Sequence, residues 1–360
     1  FLKKIGTNFI CKLYIMEENI VKPENVLGYL VKFVLVVILK EKNQLKQKKH
    51  NMKVLGIGNA IVDVICRVEE NFITKNKLTK GTMKLIFDEI EFKNILSGLR
   101  IEKTISGGSV ANSIVGLSQL NNKVGFIGKV SDDNFGDKYE EGLKKENVKF
   151  LYSKQKEKLP TGTCLILITP DSERTMCTFL GIAGKISEKD VNGELINKSE
   201  LTFLEGYLWD EGEPKKAFEK AINYSNKVAM SLSDLFCVER HKKNFCKLVK
   251  EKLDLTFANE SEIMSLIDAK SFKEVINFAK EIKKHIIVTR GDKGAISIIG
   301  DKITETEAKK DLKIRDLTGA GDLFAAGYLH GFINNLSSEK CLEEGTRLSS
   351  RVIQQIGARF

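Results

Sequence analysis

Four prolines in 360 residues are too few for a Pro-rich linker. Residues 52–360 also hold no internal repeat and no low-complexity block, so nothing in the composition divides that stretch into domains. Histidine is as scarce: His50, His241, His285 and His330 show no metal-ligand spacing with one another or with cysteine, which speaks against a structural zinc site. The seven cysteines, Cys11, Cys66, Cys164, Cys177, Cys237, Cys246 and Cys341, are odd in number and include no C-x-x-C pair. A reducing cytoplasm suits them better than a disulfide framework. Residues 27–39, an apolar run broken by Lys32, fall short of the roughly 20 residues that a membrane-spanning helix needs.

An excess of positive charge is present but unevenly placed. Residues 1–51 carry ten Lys and four Glu, a net +6, which leaves +4 of the chain's +10 for residues 52–360. The body is close to neutral, so a nucleic-acid-binding face is not expected. The first 51 residues form an extension read as disordered or outside the fold, and its lysines beside the apolar run leave a targeting or membrane-surface role as the other reading. The folded part is expected to begin near Met52. With 42% apolar residues, it is long enough for one large α/β domain.

From Met52 onward, apolar runs at 54–58, 124–127, 201–204, 228–232, 255–258 and 286–289 read as buried parallel strands. Segments with charged outer faces at 213–225, 242–252, 260–268 and 271–283 read as the helices between them. Alternation of this kind predicts an open, mostly parallel sheet covered by helices on both faces, a three-layer α/β/α arrangement. Two regions break the alternation: 63–68 with 81–87, and 162–168 with 175–180. They read as β-rich pieces that leave the sheet, a small lid made from about 63–70, 81–87 and 160–183 over the strands' carboxyl ends, where open α/β sheets bind ligands.

Three motifs stand out in this stretch. Asp316-Leu317-Thr318-Gly319-Ala320-Gly321-Asp322 joins a Gly-rich turn to an apolar helix that opens with a carboxylate. The first N–H groups of a helix lack internal partners and attract anionic oxygen, so the turn reads as a phosphate cradle with a base, Asp322, beside it. The alternative is a turn shaped by glycine with an acid that merely complements the helix dipole. Gly58-Asn59-Ala60-Ile61-Val62-Asp63 follows the first strand. Ile61 stands where a dinucleotide fingerprint needs its third glycine, so Asp63 reads either as an acceptor for vicinal hydroxyls or as an Asx turn at the strand end. Ser106-Gly107-Gly108-Ser109-Val110-Ala111-Asn112-Ser113 leads two glycines into a helix whose Asn112 can donate to and accept from a hydroxyl, or is an ordinary helix start with Ser as its cap.

These segments together resemble the ribokinase family, the PfkB-type carbohydrate and nucleoside kinases, along nearly all of residues 52–360. The forms G-N-x-x-x-D at Gly58 to Asp63 and G-G-S-x-x-N-S at Gly107 to Ser113 are more similar to those of adenosine kinases and their bacterial relatives than to those of ribokinase. The resemblance implies the ribokinase-like fold. It implies that Asn59, Asp63, Gly107, Gly108, Ser109 and Asn112 hold a nucleoside, with Asp63 on its ribose hydroxyls. Asn259 and Glu262 match N-x-x-E, whose carboxylate is implied to organise water around Mg²⁺; a capped helix start is the plain alternative. Thr289, Gly291 and Gly294 match T-x-G-x-x-G, implied to contact ATP, with a hairpin turn as the alternative. Arg174 matches a lid arginine that would reach the transferring phosphate, or is a solvated hairpin charge. Asp316 is where many relatives form a monovalent-cation site, K⁺ among the candidates.

The implied reaction is ATP-dependent transfer of a phosphoryl group to the 5′-hydroxyl of adenosine. Asp322 would take the proton, while the N–H groups of Gly319, Ala320 and Gly321 hold the charge. A sugar kinase acting on ribose, fructose or 2-keto-3-deoxygluconate is the second expectation, and a catalytically silent nucleoside or sugar binder the third. Phe150, Tyr152 and Phe179 are candidate walls for a nucleobase. A monomer or a homodimer without nucleic-acid or membrane partners is expected.

Overall fold

The structure, a computed structural model, describes residues 52–171, 173–209 and 212–360. The expectations for residues 1–51 lie outside the described residues. Among the described residues fourteen strands form two sheets: β1 Met52–Ile57, β2 Ile61–Arg67, β3 Met83–Ile86, β4 Lys103–Ser106, β5 Val124–Ile127, β6 Lys149–Phe150, β7 Gly162–Ile168, β8 Arg174–Phe179, β9 Ser199–Glu205, β10 Val228–Ser231, β11 Leu255–Asn259, β12 His285–Thr289, β13 Ala295–Ile299 and β14 Lys302–Thr306.

The large sheet has the order β14-β13-β12-β11-β10-β9-β1-β5-β6. From β12 to β6 every pair is parallel; β13 and β14 close the edge as an antiparallel hairpin. The parallel strands are apolar throughout because both faces are covered. Alternate residues divide between two cores: Val54, Phe203 and Ile287 face the helices Ser109–Gln119, Ala320–Ile333 and Ser338–Val352, while Leu55, Leu204 and Ile286 face Glu213–Tyr224, Leu235–Glu251 and Phe272–Ile282. The three-layer expectation holds. The six expected central strands are all present, with ends shifted by at most two residues. The expected helix at 242–252 begins earlier, at Leu235, where Asp234 caps it by accepting from Cys237 N–H.

The order reverses at β1, which has β5 on one side and β9 on the other. Ligand crevices of open α/β sheets form at such a switch. Asn59 follows the carboxyl end of β1, and Glu205, Ser231, Asn259 and Thr289 end β9, β10, β11 and β12 on one side of it.

The second sheet has the order β3-β8-β7-β2-β4. It contains the four expected lid pieces and one more strand, β4, which pairs antiparallel with β2. Asp63 therefore lies inside a strand, opposite Ile105 and Cys164, rather than at a strand end. An Asx turn there is excluded, since a residue paired on both sides has extended backbone.

Helix Ala320–Ile333 is apolar all round and buried, as its sequence requires. Its one deep polar group is satisfied: the Tyr328 hydroxyl lies 2.7 Å from His285 Nε2 and 2.8 Å from Ser297 Oγ. Burial pushes His285 down to about 4, so its ring is neutral at pH 7. That network ties the helix to β12 and β13 and so fixes the position of its first turn.

Candidate active site

The first turn of that helix carries Asp322 into the middle of the site. Ser109 Oγ donates to its Oδ1 at 2.6 Å and Asn112 Nδ2 to its Oδ2 at 2.8 Å, while Ser113 Oγ donates to the Asp322 carbonyl at 2.8 Å. Burial raises the Asp322 carboxyl above the usual carboxylate range, and the bonds from Ser109 and Asn112 and the charge of Arg359 oppose the rise. A carboxyl group with raised proton affinity suits a general base.

The turn before it leaves the helix start without a side-chain cap. Gly319 sits at φ +78° and is the N-cap of Ala320–Ile333, with no side chain capping the helix. Ala320 N–H donates to the Leu317 carbonyl at 3.2 Å, so Ala320, expected among the donors to phosphate, is engaged within the turn. Gly321 faces open space: a Cβ there would meet nothing within 4 Å.

Asp322 lines one cavity and its partner Asn112 lines another. One, about 370 Å³, is lined by Ser109, Asn259, Glu262, Thr289, Gly319–Asp322 and Phe324. It continues, through Thr289, Leu317, Ala320, Gly321 and Phe324, into an apolar cavity of about 590 Å³ between the β12–β13 hairpin and helix Ser338–Val352, which Gly291 and Gly294 also line. On the other side of Asn112 lies a cavity of about 550 Å³ under the lid, lined by Asp63, Ile65, Ile105, Asn112, Ile166, Arg174 and Gly357–Phe360. The carboxylate thus lines the chamber walled by the glycine turn and is joined through Asn112 to the chamber containing Asp63.

Glycines at 107 and 108 let β2 and Asn59 come close to this helix start. Gly108 is at φ +99°, and a Cβ there would lie 2.2 Å from the Asn59 carbonyl oxygen. Gly108 is also the N-cap of Ser109–Gln119, so the expected serine cap is absent and Ser109 points at Asp322 instead.

Sequence reasoning missed Glu205. This buried last residue of β9 accepts from Asn59 N–H at 3.2 Å, Asn59 Nδ2 at 2.9 Å and Val110 N–H at 3.0 Å, joining the end of β1 to the start of Ser109–Gln119. Burial pushes its carboxyl up to about 7 against those bonds. A charge closing the apolar run Leu201-Thr202-Phe203-Leu204 was the available signal. Asn59 is thereby a buried framework group, although its Oδ1 has no partner among the described residues.

Asn259 and Glu262 form a capping box on Glu260–Leu266: Asn259 N–H and Nδ2 donate to the Glu262 carboxylate at 2.9 and 2.6 Å, and Glu262 N–H donates to Asn259 Oδ1 at 2.8 Å. Glu262 still reaches the cavity wall, and burial raises it to about 7. Thr289–Gly294 is a hairpin connection, with Arg290 N–H bonded to the Gly294 carbonyl at 2.8 Å. Both plain alternatives are therefore realised, on residues that also line the cavities.

Arg174, the first residue of β8, is paired with Asp316 and ties the lid to the turn. Asp316 also accepts from Gly357 N–H at 2.7 Å and from Thr318 N–H and Oγ1 at 3.1 and 2.7 Å. Four donors therefore already engage this carboxylate. Phe150, Tyr152 and Phe179 do not form the cavity walls. Phe179 stacks on Phe92 with centroids 5.0 Å apart, and Phe150 packs edge-on against Tyr139 and Tyr152 in the core.

With this geometry established, similarity to other proteins identifies the family. The model of the "pfkB family carbohydrate kinase" matches residues 82–360. The chain belongs to that family. Its sequence is 26% identical over 335 residues to adenosine kinase 2 of Arabidopsis thaliana, covering 85% of this chain and 95% of the relative. The structure matches that of adenosine kinase from Sinorhizobium meliloti with a TM-score of 0.78 and 33% identity, over 86% of this chain and 96% of the other. It matches a probable sugar kinase from Rhizobium etli with a TM-score of 0.77 and 34% identity, over 86% and 95%. The fold is ribokinase-like, and ATP is the phosphoryl donor that membership in a kinase family implies. Among the described residues no helix is long and apolar enough to cross a membrane.

The raised carboxyls make a stability prediction. Burial lifts Asp63 to about 7, helped by Asp322 and opposed by Arg359. A carboxyl whose folded value exceeds its unfolded one binds more protons in the folded state, so its favourable contribution is present below about pH 4 and lost as pH rises through about 7. Asp63→Asn removes that dependence. The melting temperature of Asp63→Asn minus that of the wild type, measured by calorimetry, is expected to grow from pH 5 to pH 8; a gap that stays constant or shrinks contradicts the assignment.

Proposed function

We propose that the chain transfers the γ-phosphoryl group of ATP to the 5′-hydroxyl of adenosine, giving AMP and ADP. The observation that carries this reading is the place of Asp322, on the wall of the cavity with the glycine turn and hydrogen-bonded to Asn112, which lines the cavity holding Asp63. In this reading the apolar chamber near Leu312, Phe324 and Ile353 takes the donor's adenine, and the chamber under the lid takes the acceptor. Asp63 accepts from the ribose hydroxyls, and Ile65, Ile105 and Ile166 offer apolar surface to the acceptor's base. Asp322 removes the 5′-hydroxyl proton as that oxygen attacks the γ-phosphorus in line. Gly319 and Gly321, at the uncapped helix start, hold the charge of the transferring group.

Among the described residues no group of three or more His, Cys, Asp or Glu could hold a metal by itself. That fits Mg²⁺ delivered with ATP, since this ion keeps several waters and phosphate oxygens and needs few protein ligands. Glu262 on the cavity wall is the residue to organise those waters, and the ion would neutralise phosphate charge.

A sugar kinase is the second reading, supported by the likeness to the probable sugar kinase from Rhizobium etli. The test is ADP formation by the full chain with Mg²⁺ and ATP, comparing adenosine, ribose, fructose and 2-keto-3-deoxygluconate. Turnover with adenosine at the highest kcat/KM is expected; turnover confined to a sugar would establish the second reading, and ligand binding without any turnover would point to a silent binder.

A further inference from the structure

Arg359 has no role in the reaction as described so far, yet its contacts run toward the reacting centre. Its Nε donates to Asn112 Oδ1 at 2.8 Å, and the Nδ2 of the same amide donates to Asp322 Oδ2 at 2.8 Å. A guanidinium only donates and a carboxylate only accepts, so the two neighbours demand the same amide orientation: oxygen toward Arg359, nitrogen toward Asp322. Arg359 Nη2 is buried and has no partner among the described residues. A buried donor left unsatisfied costs stability. The guanidinium thus keeps one buried donor that the fold itself does not use.

The charges around the base sharpen the point. Asp322 is faced by Asp63 from β2, by Glu205 from the end of β9, by Tyr207 just beyond it, and by Arg359 from the C-terminal segment. Of these only Arg359 is cationic. Arg359 in turn is faced by Tyr139, Asp63, Glu146 and Asp322.

We propose that Arg359 is a positioning residue for the transfer step: through Asn112 it fixes the Asp322 carboxylate, and its charge keeps that carboxylate in the form that accepts a proton. The proposal rests on Asp322 being the base. Without the guanidinium, Asp322 would lose the one cation among the groups that face it, and it would hold a proton to higher pH.

The test compares the full-length wild type with Arg359→Gln, which keeps a donor for Asn112 but drops the charge, and Arg359→Lys, which keeps the charge. kcat and KM for adenosine and for ATP are followed from about pH 5 to 9. In Arg359→Gln the acid limb of the kcat/KM profile is expected to move up by about one pH unit, about tenfold in rate on that limb. Activity should recover toward the wild type at alkaline pH with an unchanged KM for ATP, and Arg359→Lys should restore most of the limb. A loss uniform across pH, or a change confined to KM, overturns the proposal. If the wild type turns over no acceptor, the assignment of the base fails on its own. The effect of Arg359 is then read directly, by infrared titration of ¹³C-aspartate-labelled protein with Asp322→Asn as the subtraction. An Asp322 carboxyl that titrates at the same pH in the wild type and in Arg359→Gln overturns the proposal in that case. Should Arg359→Gln not fold, Arg359→Met gives the same two readings.

Discussion

Replacing Asp322 by asparagine is expected to lower kcat by about 10²–10⁴-fold, the range spanned by general acid–base groups, with little change in affinity for ATP. A carboxamide is nearly the same shape but cannot take the acceptor's proton. It also brings a local conflict that can be worked out from the hydrogen bonds. Ser109 Oγ can still donate to the new side chain's oxygen, but the new Nδ2 would face Asn112 Nδ2, a donor against a donor. Turning the Asn112 amide would relieve this and would lose the bond from Arg359. The variant should therefore fold, with a modestly lowered melting temperature. Steady-state kinetics measure the first effect and titration calorimetry with ATP the second. A kcat within a few-fold of the wild type would mean that another group takes the proton.

Asp322 stood out as a candidate because its signal is local: two glycines and a carboxylate lie within four residues at the start of an apolar helix, whose first N–H groups lack internal partners. The central strands were legible for a similar reason, since strands buried on both faces read as unbroken apolar runs. β4, Lys103–Ser106, was not, because four residues at the edge of a small sheet carry neither an apolar run nor a clear alternation. β13 and β14 were missed as an antiparallel edge to a sheet otherwise read as parallel. The residues that escaped entirely, Glu205 and Arg359, belong to the site only through contacts across long stretches of chain. Glu205 meets Asn59, 146 residues away, and Arg359 meets Asn112, 247 residues away. No spacing rule covers such pairs; topology creates them by placing β9 beside β1 and returning the chain's last residues under the lid.

The same topology gives the two glycines of the turn different roles, and substituting each separates fold from function. Gly319 is at φ +78°, and a Cβ there would lie 2.6 Å from Ala358 Cα and 2.9 Å from the Ala358 carbonyl oxygen. Gly319→Ala is therefore expected to cost about 1–3 kcal/mol in stability from backbone strain, besides pushing away the segment that carries Arg359 and the Gly357 N–H bound to Asp316. Gly321 is the second residue of helix Ala320–Ile333, and its missing side chain would point into open space. Alanine there is favoured over glycine within a helix by about 0.5–1 kcal/mol, so the melting temperature of Gly321→Ala should hold or rise. Its methyl group, however, would stand where the donor's phosphate must approach the helix start. A displacement of about 1 Å at a reacting centre costs on the order of 10²-fold in rate, and a loss of that size is expected in Gly321→Ala. Thermal melts and kcat/KM for ATP, measured on both variants, test the pair. A Gly321→Ala protein that is stable and fully active would remove the turn from the phosphate-binding site, because nothing in the protein itself requires glycine at that position.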